Sequence, residues 1–490
     1  MRSVDANAVD ANAVDAKPAS GAAPEFVERR GGADREIDDA VRILRTPATI
    51  RERCASIAAA VAAGDSPHFT IDRSKLPFVA ERVAKLTRTR YPDLAIPYHS
   101  RWRHFEAGGI DRKDELDRRL EGHSLEELTR ARIDLAVVSV LLDAGAGVTW
   151  RYVEPFSIDL TGTRYARSEG LAVASFRGFV EGRFSSDTND RCRVDAKALM
   201  QLDVDALATV FRASDKNPLV GLNGRAQMLR LLGEALHERP QWFGLDGRPG
   251  MMFDALTSQA APQGVPKDPS RTIAAAQILG LLLDAFSDIW PSGQTLEGRA
   301  IGDVWPHPHA GGQGASAGLV PFHKLSQWLT YSLLEPFEWA GVRVEGLDAL
   351  TGLPEYRNGG LLLDAGVLVP RDASRVRAST KAPIKASTRM PARVPARPPT
   401  RSSPEEAFRE SAPRSMTAGD PWIIEWRALT VALLDELAPL VRNILRVDAA
   451  TLPLACILEG GTWAAGRAIA AELRPGGVPP VVVESDGTVF

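Results

Sequence analysis

Cysteine is scarce in this chain. Three residues in 490, Cys54, Cys192 and Cys456, stand far apart and in no CxxC pair. That spacing argues against a zinc ribbon or a disulfide framework and fits a reducing, cytoplasmic setting. An excess of one charge is also missing: 59 Lys and Arg face 62 Asp and Glu, for a net −3. No electrostatic footprint for nucleic acid or an acidic membrane follows from that balance. Long apolar runs are absent. IDLAVVSVLLDAGAGV is broken by Asp134 and Asp143, and TIAAAQILGLLLDAF by Asp284. Neither reaches the about 18 unbroken apolar residues of a membrane span, so both read as buried core helices. The N-terminal VDANA repeat lacks the apolar core of a signal peptide. HExxH and GxxxxGK[ST] patterns are missing too, which removes the familiar zincin and P-loop chemistries, and the Gly-rich run Gly311-Gly-Gln-Gly314-Ala-Ser-Ala-Gly318 is not preceded by a strand, so it does not read as a nucleophile elbow.

What remains is mostly helical patterning. Alternation at strand period is rare, and the fold expected is mainly α with minor β content, near residues 150–165 and at the end. Thr46-Pro47 and Ser124-Leu-Glu-Glu127 read as helix starts, the second as a capping box. Helices are expected over Asp203–Phe211, Gly221–His237, 271–290, from Phe322, and from Arg427 to Leu445, where Leu429, Leu433, Leu437 and Val441 share a face. Residues 65–105 and 291–320 read as connections. Residues 1–35 read as a disordered tail. Residues 371–420 read as a disordered basic, Pro-rich insertion, because a basic residue recurs every fourth position from Arg377 to Arg401 among five prolines. One catalytic domain is then expected over 36–370 and 421–490.

The densest polar cluster is Pro354-Glu355-Tyr356-Arg357-Asn358-Gly359-Gly360, after a helix with one lysine, Lys324, near its start. A lysine there opposes the helix dipole, which favours a functional reason for it. Glu355 is the candidate carboxylate for activating water or stabilising a developing oxocarbenium charge. Arg357 and Arg427 are candidate anion clamps, with Tyr356, Asn358 and Glu425 beside them. Ser168 and Asp215 lie in polar clusters between helices, where capping is the plainer role. Asp303, His307, His309 and His323 form a weak HxH-type metal pattern. No metal and no organic cofactor is expected.

Several motifs, GLVPFHKLSQWLTYSLLEP, LTGLPEYRNGGLLLD, EWRALTVALLDELAPLVR, LEGGTWAAGR and SDGTVF, resemble the Urc4/Urg3 uracil-catabolism family over roughly residues 40–490, the insertion excepted. The resemblance implies a part in degrading a pyrimidine to urea through a ribosylated intermediate. A more distant likeness is to the queuosine-nucleotide N-glycosidase (queuosine salvage) family, which is related to helix-hairpin-helix DNA glycosylases. Its F-Y-K-x-x-Q helix resembles Phe322–Gln327, and its T-x-F-A-D-Y-R turn resembles Thr351–Arg357. Its F-R-S-D-x-x-x-P-L pattern resembles Phe211–Leu219, its E-x-R helix start resembles Glu425-Trp-Arg427, and its later L-W segment resembles Thr462-Trp463. Where that family has aspartate this chain has Glu355, and Leu353 and Pro354 replace its aromatic and alanine, which alters the base pocket. The likeness implies a DNA-glycosylase-like helical core. It also implies an N-glycosyl hydrolase acting on a small ribosylated urea or pyrimidine-derived substrate, with Glu355 catalytic and Lys324 binding substrate or donating a proton. The alternatives are a metal-dependent amidohydrolase-like ring-opening enzyme and a noncatalytic scaffold.

Overall fold

The computed structural model describes residues 32–154, 163–259, 271–290, 293–377 and 415–484. Helices dominate it, and the sheets are five two-stranded pairs. The chain is mainly α. Most of the buried apolar residues form one cluster, and a small satellite of Val41, Leu44, Ile301 and Val304 lies beside it.

The helix Lys324–Trp339 runs through the core and is buried along most of its length. It packs on Leu125–Leu141 and on Ala275–Phe286. The aspartates that break those two apolar runs therefore mark buried helices, as expected. Asp134 is fully buried and accepts from the Arg248 guanidinium (2.7 Å) and the Gly250 N–H (2.7 Å), so its desolvation is compensated. The long helix Pro421–Leu445 packs against both Pro47–Ala63 and Leu76–Arg90. The short helix Tyr356–Asp364 lies between it and Trp463–Leu473. No helix among the described residues is long and apolar enough to cross a membrane.

Local signals placed the starts after Thr46, Ser124 and Asp203, whereas the helix expected from Arg427 begins at Pro421 and the one expected over 271–290 spans Ala275–Phe286. Thr46 accepts the Thr49 N–H (3.2 Å) ahead of Pro47, and Ser124 accepts the Glu127 N–H (3.2 Å). Glu127 does not close the box; its carboxylate pairs with Arg130 and Arg248. Two expected connections are corrected. The 65–105 segment holds a strand, Phe69–Ile71, and a 15-residue helix, Leu76–Arg90, whose N-cap, Lys75, makes no side-chain capping bond that would announce it. The 291–320 segment holds strands Gln294–Leu296, Arg299–Gly302, Val304–Pro306 and Leu319–Pro321. The first pair turns through Glu297 and Gly298, both at positive φ, as in a two-residue primed turn. Asn-Gly usually announces that turn, and Glu-Gly does not.

The edges of the expected insertion and tail are structured as well. The first helix spans Gly32–Leu44, so it begins inside the expected tail. Residues 371–377 and 415–420 carry defined contacts, while 378–414 lie outside the described residues, as does most of the 1–35 tail. Arg375 pairs with Asp420, which caps the Pro421–Leu445 helix by accepting the Trp422 N–H (2.9 Å). The Arg377 N–H donates to Pro480 O (2.7 Å), and Met416 exchanges backbone bonds with Val482 and Glu484. Deleting 371–420 as a block should therefore lower the melting temperature, the lost cap alone costing about 1 kcal/mol. Replacing only 378–414 with a short Gly/Ser linker removes none of these bonds. Melting curves of the two deletions should separate them, and equal melting temperatures would refute the anchoring role.

Candidate functional site

Lys324, Gln327 and Tyr331 recur at helical spacing and share a face. Two of them grip the turn before Glu355. Gln327 Nε2 donates to Thr351 Oγ1 (3.0 Å), and the Tyr331 hydroxyl donates to Thr351 O (2.6 Å). Lys324, one turn earlier and half-buried, is left to face a cavity, and burial lowers its pKa. Glu355 is the N-cap of the Tyr356–Asp364 helix. Its Oε2 accepts the Arg357 N–H (2.8 Å) and its Oε1 accepts the Asn358 N–H (2.5 Å). The carboxylate is thus fixed in plane by two donors at a helix N-terminus. Burial pushes its pKa up, opposed by those two N–H groups, by Lys324 and by His99. Arg357 does not pair with it through its guanidinium, which instead lies over the Tyr356 ring and donates to Gly477 O (3.1 Å).

Glu355 and Lys324 line a cavity of about 480 Å³, within the range of small-molecule sites. Tyr356, Arg357 and Ser168 also line it. Asp143, His99 and His104 add polar groups that sequence reasoning had not assigned, and Trp328 and Trp463 form apolar walls. Asp143 lies 3.1 Å from the Arg101 guanidinium, which is itself held by Ser139 (2.7 Å) and Ser168 O (3.2 Å). His104 is held neutral by burial, with Arg101 and His99 pushing its pKa the same way. Arg167, Arg377 and the segment from Val478 to Val483 complete the lining. Arg377, the first member of the period-four basic series, is therefore a cavity residue.

LEGGTWAAGR has a structural explanation. Leu458–Thr462 forms a single π-helical turn, a local defect frequent at functional sites. A side chain would not fit at Gly461, where a Cβ would come within 2.5 Å of Val83. The same sequence carries Trp463 to the cavity wall and Glu459 to His99, whose Nδ1 lies 2.9 Å from Glu459 Oε2. A Cβ on Gly466 would come within 2.2 Å of Arg357 O, so glycine lets this helix press against the Glu355 turn.

Other residues singled out in the sequence lie elsewhere. Arg427 is buried, forms two bonds to Asp303 (2.8 and 2.6 Å) and stacks over Phe322 at 4.1 Å, away from the cavity lining. Burial would raise Asp303, but Arg427 dominates and holds it near about 2. Glu425 accepts from the Ser66 hydroxyl and lies 3.4 Å from His307 Nε2, so it serves a buried polar node. The Asn358 side chain donates to Leu353 O (3.3 Å), which shapes the Glu355 turn from behind. Asp215 is exposed in the turn bridged by Ser214 and Asn217. The histidine–aspartate set disperses, since Asp303 engages Arg427, His307 lies by Glu425, and His323 meets Leu44 O (2.9 Å). Among the described residues no three His, Cys, Asp or Glu side chains gather as a metal site. The three cysteines are free and buried, and burial raises all three thiols, Cys456 to about 12. That makes them poor nucleophiles at neutral pH.

Comparison with known proteins covers nearly the whole chain. The family model described as "Protein of unknown function (DUF1688)" matches residues 43–490. "Uracil catabolism protein 4" of Lachancea kluyveri is 37% identical over 468 residues, 93% of this chain and 100% of that protein. "Protein urg3" of Schizosaccharomyces pombe is 37% identical over 430 residues, 86% of this chain and 92% of that protein. The chain therefore belongs to the DUF1688 family, together with the fungal uracil catabolism protein 4 and urg3.

Proposed function

We propose that this protein serves uracil catabolism as an N-glycosyl hydrolase, cleaving the C1′–N bond of a ribosylurea or its 5′-phosphate to urea and ribose or ribose phosphate. The observation that carries the reading is Glu355, a carboxylate held by two backbone N–H groups at a cavity it shares with Lys324. A fixed carboxylate stabilises an oxocarbenium-like charge without reorganising, and it can hold the attacking water. Lys324 would bind the sugar or its phosphate. The name of the Lachancea relative supports the uracil-catabolism part of the reading, and the likeness of the Lys324 and Glu355 motifs to a nucleotide N-glycosidase supports the reaction. That likeness extends the reading to a DNA-glycosylase-like core.

Arginines on the cavity wall favour the phosphorylated substrate. Arg167, Arg357 and Arg377 line it, and the Nε atoms of Arg357 and Arg377 are buried without a hydrogen-bond partner among the described residues. Such donors gain most from an anion that enters with its own acceptors. The test is urea release from synthetic ribosylurea and from its 5′-phosphate. Release should be faster from the phosphate, and Lys324→Ala should lower turnover or affinity at least about tenfold while stability stays within about 1 kcal/mol. Tight binding of either compound with no urea formed would instead favour a scaffold.

A further inference from the structure

Breaking C1′–N in a ribosylurea leaves an electron pair on a urea nitrogen, a poor leaving group unless it takes a proton as the bond breaks. Glu355 cannot supply that proton while it acts as a carboxylate. We infer that the His99–Glu459 pair, presented by the π-helical turn, protonates the departing urea, with His99 as the catalytic acid and Glu459 as its positioning residue. The inference rests on the N-glycosyl hydrolase reading and adds a residue to that site.

The geometry selects His99. Its ring lines the cavity, and its Nδ1 is engaged by Glu459 Oε2 at 2.9 Å. Burial would raise Glu459, but His99 and Arg90 hold it down to about 2, so it remains a carboxylate and can only accept. Nδ1 must therefore carry a proton, and Nε2 is the ring nitrogen left for the cavity. A carboxylate behind an imidazole fixes its tautomer and favours its charged form. Glu459 is itself held, by Arg90 Nη2 (2.8 Å) and the Tyr91 hydroxyl (3.3 Å). Glu459, Glu355 and His104 interact with His99 directly; around them, Arg90 and Tyr91 engage Glu459, Lys324 acts on Glu355, and Arg101 and Arg467 act on His104. His104 sits edge-on to Trp328 and Trp463, and its Nδ1 is buried without a partner among the described residues. It is suited to receive the planar urea between aromatic walls.

The step balances. His99 Nε2–H gives its proton to the departing nitrogen, which keeps the C1′–N electron pair and leaves as urea. Water held by Glu355 adds to C1′ as the bond breaks, and its proton passes through Glu355 to solvent. His99 regains a proton from solvent, so the sum is ribosylurea and water to urea and ribose.

The test compares ribosylurea with 4-nitrophenyl riboside, whose leaving group needs no proton. His99→Gln should slow urea release at least about a hundredfold and nitrophenol release less than about tenfold. Glu459→Gln, nearly isosteric, should move the alkaline limb of the urea pH profile to lower pH. It should also slow urea release at least about tenfold while leaving nitrophenol release nearly unchanged. If His99→Gln does not fold, these two Glu459→Gln readouts carry the test. Equal losses on both substrates, or an unchanged pH profile in the Glu459→Gln variant, would make the pair structural and overturn the inference alone. No urea release by the wild-type protein would overturn the functional reading itself.

Discussion

Glu355→Gln should lower urea release by roughly two to four orders of magnitude under single-turnover conditions, with substrate still bound. The substitution keeps the size of the side chain and removes its charge. It also disturbs the cap, because both carboxylate oxygens accept backbone N–H groups and an amide offers only one oxygen. A stability loss of about 1 kcal/mol is expected from that mismatch. Activity must fall far more than stability if Glu355 acts on the substrate. The pH profile gives a second check. Burial raises the Glu355 pKa, so the acid limb of activity should lie above the ordinary glutamate range, as protonation removes the charge the reaction needs. A folded mutant that releases urea at near wild-type rate would sink the mechanism.

Arg427→Met should cost about 3–5 kcal/mol, because it leaves the Asp303 carboxylate largely buried without its main partner. The Trp305 indole N–H (2.7 Å) and the Lys324 backbone N–H (3.2 Å) would remain, too little to offset a buried charge. The sign of the pH dependence follows from Asp303. Its folded pKa, about 2, is below the ordinary 3.8. Its stabilisation is therefore present above the ordinary carboxylate pKa and is lost as pH falls through the folded value. Acid unfolding of the wild type should show that loss, and the variant should show a weaker acid dependence. Thermal melting between pH 2 and 7, beside KM for the phosphorylated substrate, decides the role of Arg427. Unchanged stability with a tenfold higher KM would restore Arg427 as an anion clamp.

The sequence by itself determined the helical class, several helix starts and the Lys324 and Glu355 motifs. Those signals are local. A serine or threonine ahead of a helix satisfies N–H groups two or three residues on, and a lysine three residues before Gln327 and seven before Tyr331 shares their helix face whatever surrounds it. Family motifs such as LEGGTWAAGR were also legible as text, but what they do was not.

Only the tertiary structure decided which polar residues meet. Asp143 read as an interruption in a core helix, and it lines the cavity because that helix ends beside the Lys324 helix. His99 and Glu459 lie 360 positions apart, so no spacing rule joins them. Arg427 and Asp303 are 124 apart, and their pairing turned an expected substrate clamp into a structural ion pair. Sequence periodicity reports which face of one element is buried. It does not report which charge on another element faces that burial, and that pairing is what separates a site residue from a scaffold residue.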